Sequence, residues 1–201
     1  MSATHAASGV TATPATNPSI ADLVARAHTA AATVGQVCVI GIDGPAGSGK
    51  TTLADRLGTA LPDAGVVHLD DLVPGWDGLA EAAGKLVTQI LQPLSAGRDG
   101  RYESHDWIAG AAGPWRDVPA QRFVVVEGVS CGTRSAARHL GLLLFVEAPL
   151  ALRYERGIAR DGETFRPHWE RWAAQEVQLF ARERTRERAE VIIDGSLPVP
   201  D

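Results

Sequence analysis

The chain has 201 residues, 45% hydrophobic and 21% charged, with a formal net charge of −5. That balance suits one globular domain with a full core, and it excludes a general basic surface for nucleic acid or anionic membrane. Cys38 and Cys131 are the only cysteines, too few for a disulfide framework and consistent with a reducing, cytoplasmic compartment; no apolar stretch is long enough to span a membrane.

Residues 1–18 are mostly Ala, Ser, Thr, Gly and Pro, lack a signal-peptide pattern and predict a flexible tail ahead of a domain over 19–201. Ser19 can cap a helix running to about Thr33, with Ile20, Leu23, Val24, Ala27 and Ala31 on one face. Val37-Cys38-Val39-Ile40 reads as a buried strand. It leads into Gly44-Pro45-Ala46-Gly47-Ser48-Gly49-Lys50-Thr51, which fits G-x-x-x-x-G-K-[ST], and a helix follows with Leu53 and Leu57 at helical spacing. Glycines let a backbone wrap closely around phosphates, while the following helix offers its positive end. The candidate nucleotide-binding residues are therefore Gly44, Pro45, Ala46, Gly47, Ser48, Gly49, Lys50, Thr51 and Thr52. Lys50 is placed to reach the outer phosphates and the Thr51 hydroxyl to bind Mg²⁺.

A second strand over Val66–Leu69 closes on Asp70-Asp71, and Pro74-Gly75-Trp76 marks a loop. Leu79, Ala82, Ala83, Leu86, Val87, Ile90 and Leu91 predict an amphipathic helix that Pro93 should stop. Residues 95–119 read as a long irregular loop, carrying Arg101, Tyr102, His105, Asp106, Trp107 and Trp115; a loop of that length inside a domain suggests function. Phe123–Val126 is a third strand, ending at Glu127-Gly128, and Leu142–Val146 a fourth, ending at Glu147. A helix from Pro149, a charged connection over Arg160–Pro167 and a long helix over His168–Arg188 follow. That last helix should bury Trp169, Trp172, Ala173, Val177 and Phe180, with Arg182–Arg188 as a solvated end. Val191-Ile192-Ile193 closes the chain's pattern as a final strand.

Apolar strands alternating with helices predict an α/β domain with a parallel sheet covered on both faces and a ligand site beyond the strands' carboxyl ends. The glycine-rich loop, Asp70-Asp71 and Glu127 each follow a strand, so they should meet at one sheet edge. Glu127 is then either a metal-side carboxylate or a turn cap, and Asp70 or Asp71 a base for an acceptor hydroxyl. Arg153, Arg156 and Arg160 lie on one helix face, suited to a lid of about residues 153–168 that supplies positive charge to a transferring phosphoryl group. Trp76, Tyr102, Trp107 and Trp115 can stack on a substrate ring or pack the lid and loop. The rival readings are a nucleoside monophosphate kinase, using Arg98, Arg101 and Arg166 for the acceptor phosphate, and a regulatory NTPase.

These residues together resemble the uridine kinase-like P-loop kinases, a group that includes phosphoribulokinase, pantothenate kinase and nicotinamide riboside kinase. GIDGPAGSGKTT is similar to the family's phosphate loop, HLDD at His68–Asp71 to its catalytic strand end, and VVVEG at Val124–Gly128 to its third-strand motif. Arg153, Arg156, Arg160 and Asp161 match the lid pattern R-x-x-R-x-x-x-R-D, and AEVII at Ala189–Ile193 resembles the closing strand. Leu72 and Val73 stand where uridine kinases usually carry an aromatic pair, and the lid lacks the usual Arg-Gly-Arg ending. The resemblance implies a three-layer α/β/α fold with a five-stranded parallel sheet, ATP with Mg²⁺ as donor, and a small hydroxyl acceptor such as a nucleoside, sugar or vitamin. It also implies Asp70 as the catalytic aspartate, Thr51 and Glu127 at the metal, and an acceptor loop around Tyr102, with Arg101, His105 and Asp106 as further acceptor-side candidates. No nucleic-acid or membrane partner is implied, and a homo-oligomer is left open.

Overall fold

The computed structural model describes residues 16–34 and 36–201; most of the expected tail lies outside them. A five-stranded sheet runs through the domain: β1 (Cys38–Asp43), β2 (Ala64–His68), β5 (Phe123–Glu127), β6 (Leu142–Glu147) and β7 (Val191–Asp194). The strand order is β2-β5-β1-β6-β7, and every pairing is parallel. Alternation of side chains sends successive residues to opposite faces. On β5, Phe123 and Val125 join one core cluster, while Val124 and Val126 join the other. Both faces are buried, and this is why the sequence shows unbroken apolar runs instead of alternation.

One face is covered by α1 (Ile20–Val34) and α2 (Lys50–Ala60), whose Leu23 and Leu57 are fully buried. Ser19 opens α1 with a reciprocal cap: its Oγ accepts the Asp22 amide, and the Asp22 carboxylate accepts the Ser19 amide, each at 3.0 Å. Asn17, within the span expected to be tail, is buried, and its side chain exchanges hydrogen bonds with the Asp194 backbone at 2.8 Å in both directions.

The other face carries α3 (Leu79–Lys85), a wide π turn over Leu86–Leu91, α4 (Gln92–Ser95) and α5 (Arg134–Ala137), with α6 (Leu150–Asp161), α7 (Trp169–Glu183) and α8 (Thr185–Arg188) beyond. Pro93 does not stop the helix as expected. The widened turn just before it gives the ring room and makes up for the missing N–H, so helix continues to Ser95.

Two further expectations need correction. Residues 95–119 are not irregular: β3 (Gly100–Asp106) and β4 (Ala111–Val118) form an antiparallel hairpin. Tyr102 and Ser104 point inward between exposed Arg101 and Glu103 on β3, while its partner β4 is mostly exposed and carries Gly113 and Pro114, which an edge strand tolerates. On α7 the buried stripe is Trp169, Trp172, Glu176 and Leu179; Val177, expected inside, is 69% exposed. The helix is also broken at Arg184, which takes a left-handed φ of 52°. Arg182 and Arg184 are exposed and pair internally with Glu183 and Glu187, as expected, but beyond the break Arg186 pairs with Glu147 and Arg188 donates to the Gly132 carbonyl, so these two are tied to the domain.

Leu57 packs fully buried between α2 and the sheet, so Leu57→Ala is expected to lower the unfolding free energy by about 2–5 kcal/mol in urea titration, with the native circular dichroism retained.

Candidate active site

The glycine-rich loop joins β1 to α2 and packs its backbone against neighbours at two points. Gly44 and Gly47 take φ of 142° and 75°. A Cβ on Gly44 would strike the Val146 carbonyl oxygen, and one on Gly47 that of Arg153. Lys50 is largely buried and donates from Nζ to the Pro45 carbonyl at 2.9 Å. Ser48 Oγ is buried and has no hydrogen-bond partner among the described residues.

Asp43, at the end of β1, holds this loop in place. Its carboxylate accepts N–H groups from Gly44 at 2.7 Å, Ser130 at 3.0 Å and Gly132 at 2.8 Å, joining the phosphate loop to the turn after β5. Burial pushes its pKa up to about 6 against those hydrogen bonds. Sequence reasoning passed over it, although an acid ending an apolar strand was a visible signal. Cys131, in the same turn, is fully buried and its thiol is pushed well up by burial, so it is core rather than a reactive group.

Two cavities, each of about 520 Å³, flank the loop. The first lies over residues 47–53, walled by Arg156 and by Gly195, Leu197, Pro198 and Val199 after β7. Gly44 and Pro45 sit behind it. The second holds Asp70, Asp71, Glu127 and Ala46, with Trp76, Trp107, Phe165 and Trp172 as aromatic walls. Lys50, Thr51 and Arg160 line both. The three strand-end segments singled out from the sequence thus come together.

At the junction, Thr51 Oγ1 donates to Glu127 Oε1 at 3.1 Å, and His68 Nδ1 donates to the same oxygen at 2.8 Å. Burial works to raise the Glu127 pKa, but His68, Lys50 and Thr51 together hold it below the usual carboxylate range. The same contact raises His68. An ionised Glu127 beside the Thr51 hydroxyl is a hard-oxygen pair that fits Mg²⁺, which takes few protein ligands when phosphates supply the rest. No cluster of three or more His, Cys, Asp or Glu able to hold a metal occurs among the described residues.

Asp70 and Asp71 differ sharply. Asp71 Oδ2 accepts the Tyr102 hydroxyl at 3.2 Å and sits 3.6 Å from Arg116, so the hairpin occupies it. The Asp70 carboxylate has no hydrogen bond or ion pair among the described residues; burial and then Glu127 raise its pKa, and Lys50 and Arg160 oppose them. Trp107 Nε1 donates to the Asp70 carbonyl at 3.0 Å, fixing the backbone beneath that free carboxylate.

The three arginines do not act alike. Arg160 lies at the junction and is held by Asp161 through bonds of 2.8 and 2.7 Å. Arg156 faces the first cavity and donates to the Gly195 carbonyl at 2.9 Å. Arg153 lines neither cavity; it is nearly buried, pairing with Glu176 at 3.2 Å. Of the acceptor-side candidates, Tyr102 is buried under Asp71, and Arg101 turns outward to Asp117 and Trp115. His105 packs edge-on to Trp107, and Asp106 caps the hairpin turn through the Ile108 and Ala109 amides at 2.9 Å. None of these four lines the second cavity; the hairpin reaches it through Trp107 and Ile108. Trp76 packs between lid and hairpin, stacked on Phe165 and His168 and tilted against Trp107.

No protein-family model matches the chain. A solved structure of a possible uridine kinase from Bacillus stearothermophilus superposes with a TM-score of 0.60 at 22% identity, over 86% of this chain and 100% of the other. The chain shares the fold of that structure, with its parallel five-stranded sheet between helical layers. Among sequence relatives, identity is 28% over 181 residues to a bifunctional pantoate ligase/cytidylate kinase of Gloeobacter violaceus. It is 28% over 189 residues to dephospho-CoA kinase of Deinococcus radiodurans and 29% over 123 residues to human nicotinamide riboside kinase 2. These alignments take in 81%, 80% and 59% of this chain and 33%, 84% and 49% of the relatives. The chain therefore spans a third of the first relative and about half of the third. No helix among the described residues is long and apolar enough to cross a membrane.

Because Asp43 is neutral up to about pH 6 when folded but ionises near 3.8 when unfolded, its contribution to stability is full below pH 3.8 and is lost as pH rises through 6. The unfolding free energy of the wild type minus that of Asp43→Asn should fall by about 2 kcal/mol between pH 4 and pH 7 in denaturant titrations.

Proposed function

We propose that this protein is an ATP-dependent kinase that transfers the γ-phosphoryl group to the hydroxyl of a small molecule that carries no phosphate of its own. One observation carries the reading: two cavities meet at Lys50, Thr51 and Arg160, so a donor in one and an acceptor in the other would face each other across the groups suited to a transferring phosphoryl. The relatives named as kinases support the same reaction class.

The first cavity takes the nucleotide, its phosphates on the loop amides and Lys50, its base toward Gly195–Val199. Mg²⁺, held by Thr51 and Glu127, supplies charge neutralisation when bound. Arg160 and Lys50 stabilise charge on the transferring group. Asp70, unpaired and facing the second cavity, orients the acceptor hydroxyl and takes its proton. Asp71 holds the hairpin through Tyr102. The segment from α6 to His168, resting on Trp76 through Phe165, serves as the lid that excludes water.

The charge of the second cavity bears on the acceptor. Among the residues lining it, the acids Asp70, Asp71, Asp161 and Glu127 outnumber the cations Lys50 and Arg160, which sit at the junction where the donor's phosphates belong, while Arg116 backs Asp71 and His68 backs Glu127 from outside the lining. Arg98, Arg101 and Arg166, the residues considered for binding an acceptor phosphate, do not line it. A cavity with that acid excess and aromatic walls favours a neutral or cationic ring-bearing alcohol over a nucleoside monophosphate.

The test is ADP release from Mg·ATP across nucleosides, vitamins, sugars and nucleoside monophosphates, with Lys50→Ala as control. Stimulation by a phosphate-free alcohol, lost in the control, is expected; stimulation by monophosphates alone, or a flat low rate, counts against the reading. With the stimulating acceptor, Asp70→Asn should lower kcat about 10²–10⁴-fold. Asp71→Asn should cost much less, and the reverse ranking would remove Asp70 from the mechanism.

A further inference from the structure

The peptide joining Ala46 to Gly47 stands between the two cavities, Ala46 facing the acceptor side and Gly47 the phosphate side. Both polar groups of Ala46 are held from the lid side of the fold. Its N–H donates to Glu176 Oε1 at 2.6 Å, and its carbonyl accepts from Arg153 Nη1 at 3.3 Å. Glu176 Oε1 also accepts the Trp172 indole N–H at 2.9 Å, and Oε2 accepts Arg153 at 3.2 Å. Trp172, one turn earlier on α7, is a wall of the acceptor cavity.

Glu176 is only 2% exposed, and burial raises its pKa against the pull of Ala46, Lys50 and Arg153. A carboxylate is the one side chain that accepts on both oxygens, and here it meets three donors from three parts of the chain. Packing the loop against α7 alone would need an apolar residue at this position, and a buried ion pair is a costly substitute for one. What the carboxylate adds is a rigid connection: movement of the Ala46 amide toward a bound phosphate must shift the oxygen that also holds Trp172.

We propose that Glu176 is a positioning residue that couples the two cavities, linking phosphate on the loop to the setting of Trp172 in the acceptor wall. The proposal rests on the kinase reading's placement of phosphates on this loop. Coupling between sites in proteins commonly amounts to roughly 5–150-fold in affinity, and a tenfold effect is expected here.

The experiment titrates the full chain with a non-hydrolysable Mg·ATP analogue while following tryptophan fluorescence, which needs no acceptor. In the wild type, binding should change the emission, and Trp172→Phe should remove most of that change, identifying the reporter. Glu176→Gln should weaken the analogue about tenfold and abolish the Trp172 signal. If Glu176→Gln loses its helical circular dichroism, the Arg153→Met/Glu176→Gln double variant, which leaves no lone buried charge, is read by the same criteria. Affinity within twofold of wild type with the signal intact overturns the coupling, as does a wild-type signal untouched by Trp172→Phe. A wild type that does not bind the analogue overturns the kinase reading itself.

Discussion

A loop that turns its amides toward an anion leaves part of its own backbone without partners inside the loop, and the rest of this structure is arranged around that constraint. Asp43 takes the Gly44 amide from below, Lys50 takes the Pro45 carbonyl, and Glu176 with Arg153 takes both polar groups of Ala46. The Ser48 amide also donates to the Pro45 carbonyl, at 3.2 Å, and residues 47–53 line the cavity above α2. Two buried carboxylates are involved, from opposite ends of the chain, and each is held by several donors, which is the condition under which buried charge is tolerated.

The same constraint explains why aromatic residues gather on one side. The second cavity is bounded on its aromatic side by separate elements: the Trp76 loop, the hairpin tip, the turn at Phe165 and α7. Indole and phenyl rings bury large apolar area while reaching across gaps between separate elements. Trp107 and Trp172 also use their N–H groups, one on the Asp70 carbonyl and one on Glu176. The hairpin is thereby more than a cover. Through Tyr102 it occupies Asp71, and through Trp107 it steadies Asp70, so two adjacent acids of identical chemistry receive different surroundings.

The division of labour among the arginines follows from helix geometry. Positions 153, 156 and 160 share one face of α6 but lie on successive turns of it. Arg153 therefore lands behind the loop against Glu176, Arg156 beside the first cavity, and Arg160 at the junction. A stripe on one helix face thus meets three separate environments along its length.

The sequence by itself determined the parallel sheet, the phosphate loop and the strand-end acids, because these depend on local patterns: unbroken apolar runs, glycines at fixed spacing, an acid directly after a strand. It misread the hairpin, where β4, with Gly113 and Pro114 in a mostly exposed run, carries no strand alternation, and it placed Val177 inside α7 where Glu176 belongs. A charged residue in a buried stripe is invisible to hydrophobic periodicity, since its burial depends on partners 23 and 130 residues away, Arg153 and Ala46. Which of Asp70 and Asp71 is left free, which arginine reaches the junction and which aromatics wall the acceptor cavity were decided only by tertiary structure. Each depends on donors brought from distant elements, and no local spacing encodes where those elements meet.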